Sequence, residues 1–102
     1  MKPSFVPHVR IARVDYRNPT DGAALVALLD AYARDPMGGG IPLETDVKTR
    51  LCADLAHHPG AASFIAWNAA SEAVGLINCF LGYSTFKARP LIALSYCAGT
   101  TR

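Results

Sequence analysis

A chain of 102 residues that is 51% hydrophobic and 18% charged has the composition of one folded domain with one modest core, too short for a second domain and too apolar for a disordered tail. The formal charge of +2 comes from basic residues spread along the chain (Arg10, Arg13, Arg17, Arg34, Lys48, Arg50, Lys87, Arg89), without a Lys/Arg run or interleaved aromatics, which argues against a nucleic-acid partner. No apolar stretch reaches the ~20 residues that span a bilayer, and MKPSFVPHVR lacks the apolar centre of a signal peptide, so a cytoplasmic protein with no membrane partner is expected.

After a lead punctuated by Pro3 and Pro7, HVRIARVDY carries Val9, Ile11 and Val14 among polar residues, the pattern of a half-buried first strand whose alternation breaks near Ala12. NPTD follows, with Thr20 or Asp21 placed to cap a helix. Leu25, Leu28, Leu29 and Tyr32 then recur at helical spacing, and Asp35-Pro36 ends the stripe because a residue before proline is pushed out of the α region. The first helix is expected over about 21–34.

DPMGGGIP (35–42) reads as a mobile loop, its three glycines as a flexible linker or as part of a site. A second helix over about 44–57 presents Val47, Leu51 and Leu55 on one face and closes at Pro59-Gly60. His57 and His58 are read as helix-end histidines favoured by the macrodipole: adjacent residues on a helix point apart and no third ligand has a useful spacing, so no metal is expected. Cys52, Cys79 and Cys97 are odd in number, far apart and without CxxC spacing, so they read as small buried hydrophobes, with neither a disulfide framework nor a zinc site expected.

The second half changes period. ASFIAW is a short apolar run, NAASE a turn, AVGLINCFLGYSTF a long β-rich run, KARP a second turn and LIALSYC the last run, together a three-strand meander. The order β-α-α-β-β-β predicts an α+β domain: an antiparallel sheet in strand order one-two-three-four with two helices on one face. Leu25, Leu28, Leu29, Tyr32, Val47, Leu51 and Leu55 are the expected helix contribution to its core.

This order resembles the first half of the GNAT superfamily of acetyl-CoA-dependent N-acetyltransferases over residues 8 to about 94. The likeness rests on LLDAYARDPMGGG, EAVGLINCFLGYSTF and the ARPLI that opens strand four, phrases similar to the N-terminal half of bacterial members. The resemblance implies acetyl-CoA as cofactor, presented along the strand-four backbone at Leu94, Ser95, Tyr96 and Cys97. It also implies an acceptor side lined by Met37, Gly38, Gly39, Tyr83 and Phe86.

In the family a helix after strand four carries (Gln/Arg)-x-x-Gly-x-(Gly/Ala), whose backbone amides cradle the CoA pyrophosphate. These 102 residues hold no such segment, and Gly38–Gly40 follow a helix rather than a strand, so they are not that loop. Where similar sequences place an acidic residue on strand four, this one reads Ser95-Tyr96-Cys97-Ala98-Gly99-Thr100, and no Asp or Glu follows Glu72. The usual carboxylate base therefore has no counterpart. Tyr83 and Tyr96 read as packing residues rather than as stand-ins for the family's general-acid tyrosine.

Two functional readings follow. One is an N-acetyltransferase by fold and descent, acting on an unknown amine and catalytically incomplete as this chain, with LSYCAGTTR marking where an acetyltransferase was cut short. The other is a non-catalytic oligomeric or interaction module derived from a truncated acetyltransferase; a small unrelated α+β ligand-binding domain is a third. Leu91, Ile92, Leu94 and Tyr96 would lie at an open edge and an uncovered face, so a homo-oligomer through strand four is expected.

Overall fold

A computed structural model describes residues 9–85 and 87–97. In chain order it contains β1 (Arg10–Arg13), α1 (Pro19–Arg34), a 3-10 turn (Pro36–Gly38), α2 (Thr45–Ala56), β2 (Ala61–Trp67), β3 (Ala73–Ser84) and β4 (Arg89–Cys97). The α+β order expected from the sequence is the order observed.

Helix α1 starts two residues earlier than its apolar stripe indicates, and its cap is Asn18 rather than Thr20 or Asp21. The Asn18 side chain accepts the Asp21 N–H at 3.0 Å, and Pro19 fills the first helical position, where a missing N–H costs nothing. Asp21 reaches back outside the helix and accepts the Asp15 N–H at 2.9 Å, tying the β1–α1 connection to the first turn. The helix stops at Asp35, extended at φ −71° and ψ 144°, as the following proline requires.

The four strands form one antiparallel sheet in the order β1-β2-β3-β4. Ile65 is set between Ala12 and Leu76, Ser63 is opposite Asn78, and Asn78 is opposite Ser95. Because side chains alternate across the pleat, Ala61, Ser63, Ile65, Leu76 and Asn78 share one face, and all five are buried. Both helices pack on that face: Leu25 and Leu28 of α1 and Leu55 of α2 join Val14, Ala61, Ile65 and Leu76 in one core cluster, with Leu29, Tyr32 and Leu51 partly buried around it.

Turn chemistry fixes the hairpins. In the β2–β3 turn the Asn68 side-chain oxygen accepts the N–H groups of both Ala70 and Glu72, and Ser71 takes a left-handed φ of 63°. The β3–β4 connection comes two residues earlier than the sequence suggested, since β3 ends at Ser84 and β4 starts at Arg89, pairing Pro90 with Tyr83. A proline is tolerated there because β4 is an edge strand among the described residues. Cys52 and Cys79 are free and half-buried rather than fully buried.

Leu25 is fully buried, at 0% exposure, where α1 meets the sheet. Leu25→Ala should cost about 2–5 kcal/mol, read as a lower urea midpoint with an unchanged slope.

Candidate functional site

The turn between the helices is the first place to look, because its glycines admit both a structural and a functional reading. Each has a backbone requirement. A Cβ on Gly38 would sit 2.1 Å from the Tyr32 carbonyl oxygen, and Gly39 and Gly40 hold φ of 109° and 76°. The segment expected to be a mobile linker is instead a closed turn. Gly38 and Gly40 donate to the Asp35 carbonyl at 2.8 and 3.0 Å, Gly39 donates to that of Pro36 at 3.3 Å, and the Asp35 carboxylate accepts the Met37 N–H at 2.9 Å. With these amides spent internally, none is left pointing outward to hold a phosphate.

Asp30 anchors the far side of the same connection. It is a buried carboxylate on α1 that accepts the Leu43 N–H at 2.9 Å, pairs with Arg34 one turn on at 2.6 Å, and faces Lys48 of α2 at 3.7 Å. The Leu43 hydrogen bond, with the two cations, holds its carboxyl below the ordinary value of 3.8 against the opposing effect of burial. Asp30 thereby fixes where α2 begins relative to where α1 ends. Sequence reading passed over it, although its i,i+4 spacing to Arg34 was a visible signal.

Asp30 and Lys48 close one end of a groove of about 490 Å³ between the helices, with Tyr16 and Arg17 at the other end. Its floor is made of small residues because the helices approach closely: a Cβ on Gly22 would lie 3.3 Å from Cys52 Sγ. Burial pushes the Cys52 thiol up from its ordinary value, so it is a packing group and not an activated nucleophile. From the groove a polar chain runs beneath α1. The Ser63 hydroxyl donates to Asn78 Oδ1 at 2.5 Å, which leaves Ser63 Oγ to accept the Tyr16 hydroxyl at 2.8 Å. It ends at Asn78, the register partner of Ser95. Nothing in the apolar periodicity had marked these three residues.

The residues expected to form a site do not converge. Met37, Gly38 and Gly39 lie on the inter-helix turn and Tyr83 lies at the end of β3; Phe86 is outside the described residues. Helix α2, about 18 Å long at 12 residues, separates that turn from the start of β2. The start of β2 in turn adjoins the hairpin end of β3, where Gly60 accepts the Leu81 N–H at 2.9 Å. Tyr83 therefore belongs to the opposite end of the sheet from Met37.

Leu94, Ser95, Tyr96 and Cys97 lie in β4 opposite Cys79, Asn78, Ile77 and Leu76. Among the described residues β4 pairs on one side only, so alternate backbone N–H and C=O groups face away from the sheet. Such an edge can take an extended amide-bearing chain by backbone hydrogen bonds. A diphosphate finds no equivalent fit: both helix N-termini carry an acid in the first turn, Asp21 and Asp46. Most of the carboxylates are committed elsewhere. Asp15, Asp21 and Asp35 accept backbone N–H groups, Asp46 and Asp54 hold Arg50, and Glu72 accepts from Asn68. His57 caps α2 with Nδ1 2.9 Å from the Ala53 carbonyl, and the His58 ring meets Phe80 edge-on. Among the described residues no cluster of His, Cys, Asp and Glu could hold a metal, and no helix is long and apolar enough to cross a membrane.

No family model and no curated protein matches the sequence. Solved structures do match the fold. A possible acetyltransferase from Clostridium difficile 630 superposes with a TM-score of 0.69 at 14% identity, over 89% of this chain and 57% of its own. An acetyltransferase from Trypanosoma brucei gives 0.59 at 13% over 90% and 60%. An acetyltransferase of the GNAT family from Streptococcus pneumoniae gives 0.56 at 18% over 90% and 55%. The chain therefore shares the fold of these acetyltransferases, one of them of the GNAT family, and spans under two thirds of their length.

Two substitutions test the inter-helix connection. Gly38→Ala must displace the Tyr32 carbonyl or the turn, and should cost about 1–3 kcal/mol in urea unfolding, more than Gly39→Ala at an exposed position with only its φ at stake. Asp30→Asn should be less stable than the wild type at pH 7. A carboxyl lowered on folding contributes stability that is complete above 3.8 and is lost as pH falls through its folded-state value. The gap between the two proteins should therefore close in acid, and a gap constant down to about pH 2 would contradict this role.

Proposed function

We propose that the chain is a GNAT-like N-acetyltransferase unit by fold and descent, built for acetyl transfer from acetyl-CoA to an amine and catalytically incomplete as these 102 residues. The observation that carries the reading is the superposition on acetyltransferases over about nine tenths of this chain but little more than half of theirs. The β4 edge, which has no partner strand among the described residues, supports it, because an extended amide-bearing ligand can add to a sheet edge by backbone hydrogen bonds. The bound cofactor would supply an activated thioester acetyl group. Within this chain, Leu94–Cys97 would offer backbone pairing, and the Met37–Gly39 turn would border the acceptor.

The incompleteness rests on chemistry. Acetylating an ammonium requires a base to remove its proton, and seven of the eight carboxylates serve in caps, turns and ion pairs, the eighth being the exposed Glu44 at the start of α2, with none after Glu72. Binding CoA tightly requires a cradle for its diphosphate, and neither the glycine turn nor the two acid-bearing helix starts offers one. The second reading, a non-catalytic interaction module, is favoured by one observation: a sheet face without helices exposes Ile11, Ile77, Leu81 and Tyr83.

Isothermal calorimetry with acetyl-CoA separates a binding-competent half from an incomplete one. The chain should give no saturable heat below about 1 mM ligand. A Kd of about 1–10 µM would overturn the claim of incompleteness and show that the β4 edge alone holds the cofactor.

A further inference from the structure

The strand register that buries one face of the sheet leaves the other bare. On β1, β2 and β3 the opposite face carries Ile11, Arg13, Phe64, Ile77, Cys79, Leu81 and Tyr83. Four of these are large and exposed: Ile11 at 64%, Ile77 at 41%, Leu81 at 56% and Tyr83 at 61%. In the backbone register β4 sets Tyr96, Leu94 and Ile92 opposite Ile77, Cys79 and Leu81. On the described strands β1–β3, Arg13 is the only charged residue of this face, and it lies on the edge strand β1.

From this placement we infer that a second copy of the chain packs on the helix-free face, sheet against sheet about a two-fold axis. Four strands ~4.8 Å apart and about seven residues long span on the order of 500 Å², before side-chain relief is counted. Soluble monomers rarely expose an apolar patch beyond a few hundred Å², while a standard interface takes about 800 Å² of accessible surface from each partner. The face and its margin fall in that range. Within these 102 residues those outside the described ones are 1–8, 86 and 98–102. Their large apolar side chains are Met1, Phe5, Val6 and Phe86, too few to cover four strands.

Charge selects the copy over another class of partner. A nearly uncharged face has nothing to attract an acidic or basic surface, but an isologous contact sets Ile, Leu and Tyr against their own kind. The lone Arg13, on an edge strand, falls at the rim, where water keeps it solvated. Two sheets of this twist stack about 10 Å apart with strands about 30° from aligned, a packing that interdigitates such side chains. The contact holds whether or not the acetyltransferase reading does.

Sedimentation velocity and light scattering on the full chain from about 1 to 200 µM should show a monomer–dimer equilibrium. Leu81→Lys and Ile77→Lys should each weaken the dimer by about 100-fold while leaving the far-ultraviolet dichroism unchanged, because both side chains are exposed in the monomer. The wild-type melting temperature should rise with concentration and that of the variants should not, since association stabilises only the folded state. That dependence can be read on the wild type alone. A folded chain that stays monomeric throughout would overturn the inference, and so would a dimer that both lysine variants leave intact, which would place the contact elsewhere.

Discussion

An antiparallel sheet that receives helices on only one side is the constraint from which the rest of this molecule follows. Once Ile65 and Leu76 turn toward α1, the pleat commits every alternate residue of β2 and β3 to the same side. Ser63 and Asn78 are drawn into the core by that parity and not by their chemistry. Their burial would be costly were they unpaired, and the Tyr16–Ser63–Asn78 chain meets the cost by giving each a partner. The same parity sends Ile11, Leu81 and Tyr83 outward, so the buried network and the exposed apolar face are two results of one register.

The helices add a second constraint, since two of them must reverse direction over a limited width of sheet. Gly22 lets α1 approach Cys52 of α2, and Gly38 lets the chain turn beneath the Tyr32 carbonyl. Asp30 then collects Leu43, Arg34 and Lys48 at the exit of that reversal. A carboxylate removed from water is tolerated when it has both hydrogen bonds and counter-charges, and here it has both. The apparent linker is thus fixed at its two ends by interactions of opposite type, steric at the glycine and electrostatic at the aspartate.

Sequence periodicity recovered what depends on period. The stripe Leu25-Leu28-Leu29-Tyr32, the alternation in ASFIAW and AVGLINCFLGYSTF, and the turn residues Asn68 and Pro59-Gly60 located both α-helices and β2, β3 and β4 within about two residues, while β1 ends three residues before HVRIARVDY does; consecutive hairpins implied the sheet order. It misread features set by spatial neighbours. A triplet of glycines has the composition of a flexible linker, and only the position of the Tyr32 carbonyl shows why it is not one. Asp30 went unmarked, because its partners Leu43 and Lys48 lie 13 and 18 positions away. Tyr83 was grouped with Met37 by resemblance of phrases, a criterion blind to the length of α2 that lies between them.

Strand β4 decides what the fold can become. It pairs with β3 along nine residues and with nothing beyond it among the described residues, whereas the match leaves some two fifths of each acetyltransferase of the same fold uncovered. Any polypeptide that completed such a fold would draw on the free β4 edge and on the helix-free face beside it, because these are the unsatisfied backbone and the unburied apolar surface that remain. The proposed second copy of this chain would draw on that same face. The two associations would then compete, and the one that buries more apolar surface for less ordering would prevail. Dimerisation in that case would be more than an accessory to the proposed acetyltransferase unit: it would occupy the surface on which completion depends.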